Sequence, residues 1–432
     1  MSVLQRSNMI RANDKKLAWP AVSIVLLGFI GTFVSPILAS FLMAYLFLLA
    51  FITVITQRSN WSPRVILVIG VFLLMIVIGL THAIGNTTYN IFKDVWYFGY
   101  AGAVIVVGYL FGSLLGNRNQ IYSAFLVLGV ITAAIHLIPF FVSPTLITEP
   151  GLQIRAVAGT GYYAVCIAIV LGLYRLRDAS RIGRVFILLA MTLCAISMVL
   201  SFSRTMYIVF TILMLSFFGW LDVLRHASVR WGAAVLLIGM TALVQLSPPS
   251  YLPAKPTFME KTLHSLQEIR IKDYSSFEDI NTNWRGFETA RAIESYATGR
   301  PDEWLLGRGF GHLVDLGFYM NLSHREDEAT RYIPILHNGY AYLLVKTGLV
   351  GLLAYLVFLW WLIKIGSREA ALPSREFISE GRLIAALAVI VLLTTSLISG
   401  LFNLSDFVPL EILLGALLGL TDRHVWRKRV GS

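Results

Sequence analysis

The stretch "RVILVIGVFLLMIVIGLTHA" (64–83) opens on Arg64 and meets no further titratable side chain until His82. Its apolar residues neither alternate as on a half-buried strand nor leave a polar stripe as on a surface helix. Twenty residues at ~1.5 Å each span the ~30 Å of bilayer hydrocarbon. Such a segment is a transmembrane helix. Comparable blocks recur at about 17–33, 37–56, 96–115, 121–142, 156–174, 185–202, 205–221, 231–247, 336–363, 383–401 and 407–421, twelve in all. The whole chain of 432 residues fits this reading. It is 57% hydrophobic and only 14% charged, with a mean hydropathy of +0.72, whereas soluble domains carry roughly 25% charged residues.

The loops decide orientation. Arg6, Arg11, Lys15 and Lys16 precede the first block, and Arg58 and Arg64 follow the second. Arg118, then Arg175, Arg177, Arg181 and Arg184, then Arg225 and Arg230 lie in later loops of the same parity. Lys364, Arg368, Arg375 and Arg382 follow the tenth block, and Arg423, Arg427, Lys428 and Arg429 close the chain. With twelve spans all of these share one side, which the positive-inside rule makes cytoplasmic, along with both termini. The short loops on the other side hold only Lys93, Arg155 and Arg204. The net charge of +11 therefore belongs to membrane topology, and no nucleic-acid partner is expected. Cys166 and Cys194 fall inside apolar blocks, which argues against a disulfide framework. No cleavable signal peptide is evident, because a second apolar block follows the first at once.

Three regions result: 1–247 with spans 1–9, a large outer loop over 248–335, and 336–432 with spans 10–12 and a basic tail. The loop holds 13 acidic and 10 basic residues. Connections of this length are seldom structureless unless functional. "FMEKTLHSLQEIR" (258–270) and "NWRGFETARAIESYAT" (283–298) read as short helices, and "GRPDEWLLGRGFGH" (299–312) is turn-rich. The expected form is a small helical cap. The span interiors look nearly free of charge, with His136 the main exception and more naturally a packing residue.

Several cationic or titratable groups, far apart in sequence, then fall on the outer face. His337 and Asn338 begin span 10 in "LHNGYAYLLVKTGLVG" (336–351), and Arg204 sits in the hinge "SFSRTMY" (201–207). Arg285 lies in the outer loop, and Arg155 heads "RAVAGTG" (155–161) before span 6. Each has a plainer reading: a helix-start histidine, an arginine snorkelling to headgroups, and an Arg285–Glu288 pair on a solvated helix. "GRGFG" (307–311), with Arg308, is a turn or a weak phosphate cradle. Together they suit one chemistry. Guanidinium forks bind phosphate oxygens bidentately, and a histidine can take a proton from a sugar hydroxyl. A lipid diphosphate is the matching ligand. The outer segments contain no Asp-x-Asp pair, so neither metal nor cofactor is expected.

His337-Asn338, nine residues, then Gly348-x-x-Gly351 resembles the hallmark of O-antigen ligases. With Arg204, Arg285 followed by "LLGRGFG", and "RAVAGTG", the chain resembles the O-antigen ligase and O-antigen polymerase superfamily over nearly its whole length. That resemblance implies an all-α polytopic membrane protein of the GT-C-like kind in the bacterial inner membrane. It implies periplasmic transfer of a glycan from undecaprenyl diphosphate, with His337, Arg285 and Arg204 catalytic and Arg155, Asn338 and Arg308 binding substrate. A ligase would take lipid A–core as acceptor, whereas a polymerase would take a second lipid-linked repeat unit. The ligase-type spacing and single large outer loop tilt toward ligase. A protein O-glycan ligase is a third member of the class. A flippase would instead predict charges within the spans and internal repetition.

Overall fold

The computed structural model describes residues 19–56, 62–148, 151–159, 162–246, 260, 268, 270–272, 274, 276–321, 329–372 and 375–430. The first helices are α1 (Trp19–Phe33), α2 (Pro36–Thr56), α3 (Pro63–Thr81), α4 (Thr88–Leu115) and α5 (Arg118–Val142). A short α6 (Gly151–Ala158) precedes α7 (Tyr163–Leu176), α8 (Arg181–Leu200), α9 (Arg204–Phe218) and α10 (Ala227–Leu246). After the loop come α14 (Gly339–Glu369), α15 (Arg375–Ile398) and α16 (Val408–Val430). Among the described residues, eight helices are long and apolar enough to cross a membrane, and Trp19–Phe33, Tyr163–Leu176 and Arg204–Phe217 are shorter apolar helices. Phe41, Leu73, Val77, Phe186, Leu189 and Leu236 are exposed on such helices. In water that much open apolar surface would aggregate; lipid solvates it. The protein is a polytopic, predominantly α-helical membrane protein.

Local signals place the helix ends. Ser62 caps α3 by accepting from the Arg64 amide, with Pro63 in the first turn. Gly116, left-handed at φ 55°, ends α4, and the Asn117 side chain caps α5. The seam between α4 and α16 runs backbone to backbone: a Cβ on Gly112 would strike Ala416 O, and one on Gly419 would strike Tyr109 O. Small residues permit this approach, so close packing works together with hydrogen bonds such as Ser113 Oγ to Gly419 O and Tyr109 Oη to Asp422. His136 is buried, with Nδ1 2.9 Å from Ser197 Oγ, as expected of a packing residue. Both cysteines are buried and free.

Four expectations need correction. The block at 156–174 is broken: α6 stops at Ala158, Gly159 turns left-handed at φ 83°, and α7 starts at Tyr163. The cap is not wholly helical. It contains α11 (Phe277–Thr282), α12 (Trp284–Ala297) and α13 (Pro301–Leu306), then an antiparallel hairpin of β1 (Val314–Asn321) and β2 (Ala329–Ile333). Val314, Leu316 and Met320 are buried on β1 while Asp315, Gly317 and Asn321 take the more open face, a two-residue alternation. Of the helix expected at 258–270, Glu260 is helical, whereas Glu268 is in a turn and Arg270 is non-helical; 258–259, 261–267 and 269 lie outside the described residues. Finally, the helices are not free of charge. Lys346 of α14 and Asp94 of α4 are buried and paired at 2.6 Å, and Glu411 of α16 is buried as well.

The Lys346–Asp94 pair clamps the cap to the bundle. Asp94 also accepts from Tyr342 Oη at 2.8 Å and from the Gly311 amide at 2.7 Å, while Lys346 Nζ donates to His312 O at 2.5 Å. Beside it the two glycine motifs interlock. Gly348 has φ 62°, kinking α14, and a Cβ there would strike Gly307 N and Leu305 O. Arg308 N then donates to Val345 O at 2.8 Å. Gly348 of "GLVG" and Gly307 of "GRGFG" thus require each other, whereas Gly309 seats against His82 and Gly311 against Asn86.

Candidate functional site

Glu268 is the centre of the cationic cluster. Arg204 opens α9 just after the Ser201–Ser203 hinge, where Phe202 takes φ 45°. Its Nη1 donates to Glu268 Oε1 at 2.9 Å and its Nη2 to Oε2 at 3.2 Å, a two-pronged fork. Arg285, the second residue of α12, donates through Nη1 to the same Oε2 at 3.1 Å. Glu268 and Arg270 can lie this close because α12 presents Gly286 there; a Cβ would strike Arg270 O. Arg155 on α6 belongs to the same field. Burial, then the Arg204 and Arg285 cations, push its guanidinium below the ordinary value, with Glu268 working against them. Burial also lowers Arg285, Glu268 opposes this, and Arg204 adds to it.

Glu288 lies three residues beyond Arg285, hence on the same face of α12 and about one turn away. It is almost fully buried. Its Oε2 receives both the backbone amide of His337 at 3.0 Å and the ring Nδ1 at 2.9 Å. An ionised carboxylate only accepts, so Nδ1 is the donor here, and in the neutral ring Nε2 then keeps its lone pair. The imidazole is 54% exposed, so that lone pair is available to an incoming hydroxyl. The backbone of His337 is pinned from the other side, where Ser399 N donates to His337 O at 2.6 Å.

Asn338 caps α14, its Oδ1 accepting from Tyr340 N at 3.1 Å and Ala341 N at 3.3 Å, while Nδ2 donates to Thr289 Oγ1 at 3.3 Å. One helix, α12, therefore ties the arginines to the start of α14. Arg308 is held elsewhere: Nε donates to Ser295 O at 2.7 Å and Nη2 to Thr298 Oγ1 at 2.9 Å, near the far end of α12. The "GRGFG" amides are also engaged, Phe310 N with Gly79 O at 2.6 Å and Gly311 N with Asp94. The segment is a docking turn.

Sequence reading missed Glu268 and assigned Glu288 only as a possible ion-pair partner of Arg285. Neither carboxylate carries a local signature; the Glu288 position on the Arg285 face of a helix was the available clue. It also missed Asp406, in the turn before α16, whose carboxyl burial pushes up to about 6 while Asn403 pulls it down. Among the described residues, no group of three or more His, Cys, Asp or Glu could hold a metal ion.

No curated protein matches the chain. Residues 188–356 match the family described as O-antigen ligase, a range that contains Arg204, Arg285, Glu288, His337 and both glycine motifs. The match covers residues 188–356 of the 432, and it is to the O-antigen ligase family that this site-bearing stretch of the helical bundle is similar.

Proposed function

We propose that this protein is an O-antigen ligase of the bacterial inner membrane, moving a glycan from undecaprenyl diphosphate onto a hydroxyl of lipid A–core. The reading comprises twelve spans of GT-C-like arrangement, cytoplasmic termini and a periplasmic site. One observation carries it: α12 bears Arg285 and Glu288 a single turn apart, so a multi-arginine anion seat and a carboxylate-oriented histidine share one helix face.

The chemistry follows from that face. Arg204 and Arg285, with Arg155 behind them, grip the diphosphate and offset charge as it builds on the leaving group. His337 Nε2 takes the proton of the acceptor hydroxyl as its oxygen attacks the anomeric carbon. The bond from that carbon to the phosphate oxygen breaks, and undecaprenyl diphosphate leaves with the electron pair. Glu288 holds the imidazole in the needed tautomer and balances the imidazolium that forms. No metal ion enters the scheme.

Reconstitution with a lipid-linked glycan and two competing acceptors, lipid A–core and a second lipid-linked unit, tests it. The expected result is glycosylated lipid A–core that forms equally well in EDTA and is lost in His337→Ala. Extension of the lipid-linked unit instead would make the protein a polymerase, and full activity of His337→Ala would remove the histidine from the mechanism.

A further inference from the structure

The anion seat is taken by the protein's own carboxylate. Glu268 offers its two oxygens to the Arg204 fork in the arrangement a phosphate group would use, and Arg285 closes on one of them. The three partners are neither sealed nor free: Arg204 is 18%, Arg285 27% and Glu268 15% exposed. Water therefore reaches the seat, and exchange of one anion for another is not blocked by desolvation. Arg155, Arg204 and Arg285 bring three positive charges together; Glu268 takes both forks, and Glu288 lies a turn further along the Arg285 helix.

We propose that Glu268 is an internal competitor for the donor's diphosphate. It keeps the Arg204 and Arg285 forks in register before the donor arrives, yields its place to the diphosphate, and returns to expel the product. This rests on reading the arginine cluster as a diphosphate seat. The need for expulsion follows from the reaction. Breaking the bond to the glycan converts a diphosphate diester into a monoester with one more ionisable oxygen. The same three cations therefore hold the product more tightly than the donor, and a carboxylate that competes for the forks shortens its stay.

The test uses the full chain in nanodiscs, with inorganic pyrophosphate as the probe and binding read by calorimetry and by ligand-induced thermal stabilisation. Glu268→Gln removes the competing charge and should bind pyrophosphate at least about tenfold more tightly than the unaltered protein, the equivalent of one charge-assisted hydrogen bond. Glu268→Asp retracts the carboxylate by one methylene and should fall between them; it carries the test if the glutamine variant does not fold. With the complete donor, Glu268→Gln should show a first-turnover burst followed by slower steady turnover. Arg285→Lys serves as the control and should bind more weakly. If Glu268→Gln binds pyrophosphate no better than the unaltered protein while Arg285→Lys still weakens it, the competitor is overturned and the diphosphate seat stands. If neither the unaltered protein nor Glu268→Gln binds pyrophosphate, the seat itself falls and the competitor with it.

Discussion

Replacing Lys346 by methionine should destabilise the protein more than any exposed charge removal. The pair it forms with Asp94 is 2% and 1% exposed, at 2.6 Å, so neither charge can turn to water when its partner is lost. Lys346→Met leaves the Asp94 carboxylate with two neutral donors, Tyr342 Oη and the Gly311 amide. Removing one partner of a buried pair costs about 3–5 kcal/mol, because the remaining charge is stranded. The same substitution frees His312 O and loosens the 307–312 turn, which seats against Gly348. Asp94→Asn should cost a similar amount by stranding the ammonium. The double variant, Lys346→Met with Asp94→Asn, strands no charge and should recover most of the loss, a coupling of at least roughly 2 kcal/mol. Thermal and denaturant unfolding in mild detergent, run on all four proteins, measures that coupling. Single variants that unfold with the unaltered protein, or a double variant whose loss equals the sum of the two, would refute the clamp. Glycan transfer should follow the same order, since the clamp holds both the cap and the helix that His337 heads.

Two further outcomes are expected. Glu288→Gln keeps the shape beside His337 but removes the charge and lets an amide N–H face Nδ1; kcat should fall roughly 10–100-fold with donor KM little changed, and an unaltered kcat would show that Glu288 merely packs. His312, which burial and then the Lys346 and Arg308 cations hold at about 4 against Glu303, binds its proton less readily folded than unfolded. Its contribution is therefore full above pH ~6.5 and lost as pH falls toward 4, at most about 3 kcal/mol. Unfolding midpoints between pH 4 and 7 should drop more steeply for the unaltered protein than for His312→Gln, and parallel curves would contradict this.

The membrane architecture was legible in the sequence because hydrocarbon imposes a local rule: an unpaired backbone amide is intolerable there, so each crossing must be a long apolar helix. The hinge at Arg204 and the helix at 284–297 were readable for the same reason, since turns and helix ends are set by neighbours in the chain, whereas Asn338 was given a binding role and not the cap it forms. The hairpin at 314–333 was not recovered, because strand pairing joins residues 8–19 apart across a turn and only a faint alternation marks it. The sequence also placed Arg308 in the site, whereas its hydrogen bonds to Ser295 and Thr298 take it away.

What the chain alone determined was which cations stand at helix starts and loop turns. Tertiary structure decided which carboxylate each one meets. Arg204 and Glu268 are 64 residues apart, His337 and Glu288 49, Lys346 and Asp94 252. The physical reason is range: helix propensity and span length are settled within a few turns, whereas an ion pair in a partly dehydrated cleft depends on how whole helices pack.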